Sequence, residues 1–468
     1  MPFLQGLLKD GAHYSAKVDL WSRGWAEIFT GRHGVDTGAF YNRPACTGKY
    51  EFTQHFNLSS LNGNPAVRPI WNDLNEKGFR VGVMNIPTTL PAPAVDGFFV
   101  SGVGGGSDKS GSRSIPAEAC YPPSIMTMLE DLGYVLDVRR GASGIDNLED
   151  FFRSINDMEE KRTASFVQLA TQYAIDFGFV GYMGLSRVCY LLMADILNLI
   201  GKSNRVDTEN DRRILDFFSR QDQLLRDLVQ QLSPERVLIV SDHGMAPYTH
   251  QVNLNAFLVE GGWQKKNESM NGWIRGAGKA VKNMLPVRFR RNLGKKMPGV
   301  RQFVGQQNYA TQGTAAIATG YISGIYLNDA RFGGTVSPRE SEKLVSEIVG
   351  AFNEYAPAKK NGMHASVYAL RHRGCHAEAY FPDIWIDHPD TIFFNDHGPF
   401  IAPNRQYKPF DSFANVVSDM NSGIKGVEPL LCLVGEGREV LNVQDTGSLT
   451  QAYRIIQQCM VQRPKDNQ

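Results

Sequence analysis

Asp242 and His243 stand side by side at the end of an apolar run, the stretch Val237 to Pro247 reading VLIVSDHGMAP, with Gly244 directly behind them. A carboxylate oxygen and an imidazole nitrogen are donors that suit a divalent ion such as zinc or manganese. A single Asp-His dipeptide cannot hold an ion, so this chemistry requires further ligands. The span Cys375 to His397 supplies possible ones in His376, Asp383, Asp387, His388 and Asp396, all of which are also ordinary residues for exposed loops.

For such a pair to act it must be carried to an edge where ligands gather. Short β-branched runs alternate with longer helical patterns, which is the mark of a mainly parallel sheet between two layers of helices. Phe79 to Ile86, Asp176 to Tyr182 and Val237 to Val240 read as strands. Asp207 to Leu232 has apolar residues at 214, 217, 218, 224, 225, 228 and 232, a helical spacing that delivers the chain to the strand ending at Asp242. In an open α/β sheet ligands collect at the carboxyl ends of the strands, and a glycine there lets the backbone turn sharply.

Two segments interrupt the alternation. Gly102 to Ser114 is Gly/Ser-rich and reads as a surface loop. Gly261 to Arg301 holds eleven Lys or Arg against one acidic residue. It reads as a solvated lid or edge segment, with an electropositive rim for phosphorylated substrates as the sharper alternative.

The bulk numbers remove several function classes. Lys plus Arg number 49 against 48 Asp plus Glu, so no global field selects nucleic acid or an anionic membrane. Six cysteines without a CxxC pair fit neither a zinc ribbon nor a disulfide framework, and suit a reducing compartment. The amino-terminal stretch lacks the apolar core of a signal peptide, and the apolar stretch Val188 to Ile200, broken by Asp195 and Asn198, is short for a bilayer. The expectation is a soluble, cytoplasmic protein without a transmembrane segment.

SDHGM behind an apolar strand resembles the metal-binding signature of the alkaline phosphatase superfamily, in its type I phosphodiesterase/nucleotide pyrophosphatase branch. Trp25 to Gly34 (WAEIFTGRHG), Trp71 to Gly106, Thr311 to Val336 and Phe394 to Gly398 (FNDHG) are similar to further segments of that branch, in the same order along the chain. The resemblance implies an alkaline phosphatase-like α/β fold over residues 1–405, with residues 254–301 as a basic, lid-like insertion and 406–468 as an unassigned carboxyl-terminal extension. It also implies a two-metal phosphoryl-transfer site with a Thr or Ser nucleophile. Asp242 and His243 would then hold one divalent ion, zinc or manganese, and His397 would complete or neighbour that site. The substrate would be a small phosphorylated molecule such as a nucleotide or phosphodiester.

The chain departs from the branch at four places. The strand ending in a metal-binding Asp that precedes the MPxLxxL-type helix is not in the sequence from Met1, which leaves either a start further upstream or a true loss of the strand. Ser186 and Tyr190 stand where the branch has Asp and His, and neutral hydroxyls are poor replacements on zinc. The nucleophile position falls on Trp21, which leaves its neighbour Ser22 as the substitute. These departures set a metal-dependent phosphoester hydrolase with an altered site against a catalytically silent relative that binds or scaffolds. A hydrolase of sulfate or phosphonate esters is a third reading.

Overall fold

The computed structural model describes residues 1–61, 67–102, 115–138, 145, 147–265, 313–369, 377–411, 415, 417, 420–435 and 446–461. The Gly/Ser-rich loop and most of the basic stretch expected as a lid fall outside these residues. At the start of the expected insertion, the helix Leu254–Glu260 buries Leu254, Phe257 and Leu258 in an apolar cluster.

The three expected strands form as Val81–Ile86, Phe177–Val180 and Arg236–Val240. Val81–Ile86 is buried along its whole length and pairs in parallel with Gly97–Ser101 on one side and Phe177–Val180 on the other. Cys120–Tyr121 adds an antiparallel edge, giving a four-stranded half-sheet. Arg236–Val240 belongs to a separate three-stranded group, where it pairs antiparallel with Leu431–Gly435, itself antiparallel to Ala12–His13. Among the described residues, parallel pairing joins Gly97–Ser101, Val81–Ile86 and Phe177–Val180 and, elsewhere, His250–Val252 with Ile392–Phe394, and the carboxyl-terminal residues are built into the body of the molecule. Leu431 and Leu433 are buried beside Ile455 of the closing helix Gln451–Val461.

The helix Glu209–Leu232 begins where Thr208 and Asp211 form a reciprocal capping box, satisfying amides that a helix start leaves without partners. It ends at Ser233 in the left-handed region, φ 44°, which turns the chain into Arg236–Val240. Helix Leu148–Tyr173 carries a buried ion pair, Arg162 Nη1 to Glu159 Oε2 at 2.8 Å. The other oxygen of Glu159 accepts the amide of Met183 at 2.9 Å and that of Gly184, so this carboxylate holds the start of helix Gly184–Gly201 in place. That helix is longer than the apolar stretch suggests, and by length and composition alone it could cross a membrane. Here it buries Val188, Leu191, Leu192 and Leu199 in a core cluster shared with Phe151, Ile155 and Phe217.

A second, antiparallel sheet runs in the order Ala316–Ala318, Gly324–Leu327, Ile384–Asp387, His364–Val367. Helix Pro338–Glu354 covers it, burying Val345, Ile348 and Phe352.

Candidate active site

Asp242 and His243 follow the last residues of Arg236–Val240, where Ser241 is tied to the neighbouring strand by Ser241 N to Leu430 O at 2.9 Å and Leu430 N to Ser241 Oγ at 2.8 Å. Behind them, Gly244–Pro247 turns into an antiparallel pair with Gly423–Gly426, in a register that sets Lys425 opposite Met245. Lys425 thereby comes to the Asp242 side of the site. Gly24, at the start of helix Gly24–Thr30, packs so closely on Asp242 that an added Cβ would collide with its carbonyl oxygen. Glycine is required there for the close approach, not for an unusual backbone angle.

The Nδ1 of His243 lies 2.5 Å from the carbonyl oxygen of Gly244. A carbonyl only accepts, so this assigns the ring proton to Nδ1 and leaves the Nε2 lone pair open, 3.7 Å from Asp242 Oδ1. Burial holds this imidazole below its ordinary value, and Asp242 pulls only partly the other way. Tyr41 donates its hydroxyl to Asp242 Oδ2 at 3.3 Å, and burial next to that carboxylate keeps the phenol protonated.

The Lys425 amine lies over the Tyr41 ring, 3.0 Å from its centroid, and among the described residues it has no hydrogen-bond partner. Burial pushes it down to about 7, against the attraction of Asp242. Arg23 also faces the Tyr41 ring, but its guanidinium is spent on the carbonyl oxygens of Phe40 at 2.9 Å and Gln54 at 2.7 Å. Across the opening stand Ser186, which donates to Met183 O at 3.0 Å, and Tyr190, whose ring centroid is 6.4 Å from that of His243. Asp242, His243, Lys425, Tyr41, Ser186 and Tyr190 all line one cavity of about 1010 Å³.

Two expected site residues lie elsewhere. His397 is on a loop beyond strand Ile392–Phe394, its side chain 73% exposed and its Nδ1 3.1 Å from Asp396, and it does not line the cavity. That strand pairs with His250–Val252, in a sheet apart from the one that ends at Asp242. Ser22 is buried and faces away from the cavity: its hydroxyl donates to Asp19 Oδ2 at 2.8 Å and its amide to Asp19 Oδ1 at 2.6 Å. Of the other possible ligands, Asp383 is buried and accepts from Leu327 N at 2.6 Å and from Arg331 at 2.7 Å, a structural role. His388 packs edge-on against Phe394, and His376 lies outside the described residues.

Among the described residues no group of three or more His, Cys, Asp or Glu side chains stands close enough to hold a metal ion. Asp242 and His243 are two donors, and a buried amine beside them opposes a second positive charge. This donor set does not fit a two-ion centre. The sequence reading missed Lys425 and Tyr41. The signal for Lys425 was a lone charge between glycines, in Ser-Gly-Ile-Lys-Gly, just ahead of the apolar Leu430 to Val434 run.

The fold is similar to that of the phosphonoacetate hydrolase from Sinorhizobium meliloti 1021, solved with phosphonoformate, at 13% identity and a TM-score of 0.51, covering 98% of this chain and 89% of that one. Murine ectonucleotide pyrophosphatase/phosphodiesterase 5, solved as an inactive variant with AMP, matches at 10% identity and a TM-score of 0.45, over 100% of this chain and 92% of that one. No curated protein matches the chain by sequence. The family model for type I phosphodiesterase / nucleotide pyrophosphatase matches residues 1–395. With that match over most of its length, the chain belongs to the type I phosphodiesterase/nucleotide pyrophosphatase family, of the alkaline phosphatase superfamily.

Proposed function

We propose that this chain hydrolyses phosphoesters of small molecules, phosphodiesters or nucleotides, at the Asp242–His243 edge. The observation that carries the reading is His243, neutral and with Nε2 open, on the wall of a cavity at the carboxyl end of a strand. In hydrolysis the attacking water gives up a proton to Nε2 as its oxygen bonds to phosphorus, and the P–O bond to the ester group breaks, the leaving alkoxide or phenoxide taking the electron pair and then a proton from the imidazolium or from water. The Gly244 carbonyl orients the imidazole through Nδ1, Asp242, positioned by Tyr41, stabilises the imidazolium that forms, and the Lys425 ammonium offsets the negative charge of the phosphoryl oxygens. The cofactor in this reading is at most one divalent ion, zinc or manganese, and none of these steps is routed through it. Phosphonate or sulfate esters are the nearest alternative substrates, and likeness of fold does not choose among them.

The test is hydrolysis of bis(p-nitrophenyl) phosphate by the purified full chain, with added zinc or manganese and after chelation. Asp242→Asn and His243→Ala should each lower kcat/KM by about 100-fold or more. Unchanged rates in both variants would overturn the assignment. A second reading, a silent binding module, is favoured by the locked Ser22 hydroxyl and the missing third donor. It requires saturable nucleotide binding without turnover.

A further inference from the structure

A second cavity, of about 310 Å³, lies at the other end of helix Gly24–Thr30 from Asp242. Gly24 packs on the Asp242 carbonyl, whereas Thr30, about 10 Å further along the helix, lines the second cavity. Among the described residues the two cavities share no lining residue. The second is at the small end of the range usual for ligand pockets, roughly 300–1,000 Å³.

Three segments distant in sequence each bring an arginine to this space. Helix Gly24–Thr30 ends at Gly31 in the left-handed region, φ 64°, packed against the Tyr453 ring, and Arg32 follows directly. Arg68 stands just ahead of helix Ile70–Glu76, and Arg454 is on the closing helix Gln451–Val461. All three line the cavity and all three are exposed.

Their charges are unequally matched. Asp73 is the one carboxylate among the described lining residues, and it is already committed. Its Oδ2 accepts from the Tyr453 hydroxyl and from Gln457 Nε2 at 3.1 Å, and its Oδ1 lies 3.5 Å from Arg68 Nε. Arg68 pairs with Glu76 as well, so its charge is met. Arg32 and Arg454 have no such counterpart: among the described residues neither guanidinium makes an ion pair or a hydrogen bond.

Two unspent guanidiniums on one small polar space repel each other until an anion lies between them. Each is a planar fork of donors that fits the oxygens of a phosphate two at a time. A phosphate monoester carries a charge of about −1.5 to −2 at neutral pH and three acceptor oxygens, which matches two guanidiniums. The single charge of a diester leaves one of them unmatched. We infer that this cavity binds a phosphate monoester group, held between Arg32 and Arg454 with Arg68 at its edge. Bound there, the group ties the closing helix to helix Gly24–Thr30 and to the segment ahead of Ile70–Glu76, so that binding stabilises the fold. The inference concerns a site away from Asp242 and does not rest on turnover, so its failure leaves the hydrolase reading untouched, and the reverse.

The experiment is calorimetric titration of the full chain at low salt with inorganic phosphate, glucose 6-phosphate and dimethyl phosphate. Phosphate or glucose 6-phosphate should bind saturably with a Kd of about 1 mM or tighter and raise Tm, and dimethyl phosphate should bind at least about tenfold more weakly. Arg32→Gln combined with Arg454→Gln should weaken the binding by about tenfold or more, while Lys425→Met, in the first cavity, leaves it in place. Both arginines are exposed, so the double variant should keep its Tm without ligand, which separates lost binding from lost folding. Tighter binding of glucose 6-phosphate than of phosphate makes the occupant a phosphorylated small molecule, and equal binding makes it free phosphate; both support the inference. Equal affinity for dimethyl phosphate overturns it. So does binding that survives the double variant, and so does the lack of saturable binding of either monoanion-excluding probe, phosphate or glucose 6-phosphate, up to about 10 mM.

Discussion

At the scale of single residues, the site is defined by which hydroxyls and amines are already spent. Ser22 gives its hydroxyl to Asp19, so Ser22→Ala should leave hydrolysis unchanged while costing about 1 kcal/mol of stability in chemical denaturation. Lys425 is the opposite case, an amine out of water without a hydrogen-bond partner among the described residues. Its charge opposes any ion at Asp242 and His243. Lys425→Met should therefore tighten zinc binding by about tenfold or more in calorimetric titration, while raising KM for an anionic diester. Asp242 and His243 were legible because strand, charge and glycine fall in one short stretch of sequence. Lys425 was not, because it reaches the site through strand pairing, Lys425 opposite Met245, across some 180 residues. His397 stands apart for the same reason in reverse, since its motif is intact but the strand ahead of it pairs in another sheet.

At the scale of elements, two buried carboxylates set the helix that carries Ser186 and Tyr190. Glu159 anchors its first turn and neutralises Arg162, both wholly buried. Glu159→Ala should cost about 3–5 kcal/mol in urea denaturation, since it leaves the guanidinium without its counter-charge. Asp195, on the same helix, accepts the Phe410 amide at 3.1 Å, and burial pushes its carboxyl up to about 6. A native value above the unfolded one means that the folded state holds the extra proton between roughly pH 4 and 6. Stability from this group is present below that window and is lost as pH rises through it, by up to about 3 kcal/mol for a shift of about two pK units. Asp195→Asn should flatten the stability profile across pH 4 to 6 in equilibrium unfolding. The helices themselves were readable: the spacing from 214 to 232 and the Thr208 start are local signals. The end of Gly184–Gly201 was not, because Asp195 looks like a break in an apolar run until its buried amide partner is known.

At the scale of the whole molecule, the sheet is in two pieces. Strand identities followed from apolar runs, but their partners did not, since antiparallel pairing with Leu431–Gly435 depends on residues nearly 200 positions away. The same separation hid the place of the carboxyl-terminal residues. The open edge gives a further expectation. Leu238→Lys, on the half-buried strand, should cost about 1 kcal/mol or less, whereas Val83→Lys, with no exposure at all, should cost about 4 kcal/mol or more in chemical denaturation. The two banks of the site are tied across that division, since Ser422, just ahead of Gly423–Gly426, donates its amide to Tyr190 O at 3.0 Å and its hydroxyl to Leu191 O at 2.8 Å. Ser186 and Tyr190 ride on the half with Phe177–Val180, while Asp242, His243 and Lys425 ride on the other. The distance across the site is thus fixed by hydrogen bonds as well as by the Tyr190–His243 contact, and a substitution at Ser422 reaches both banks at once.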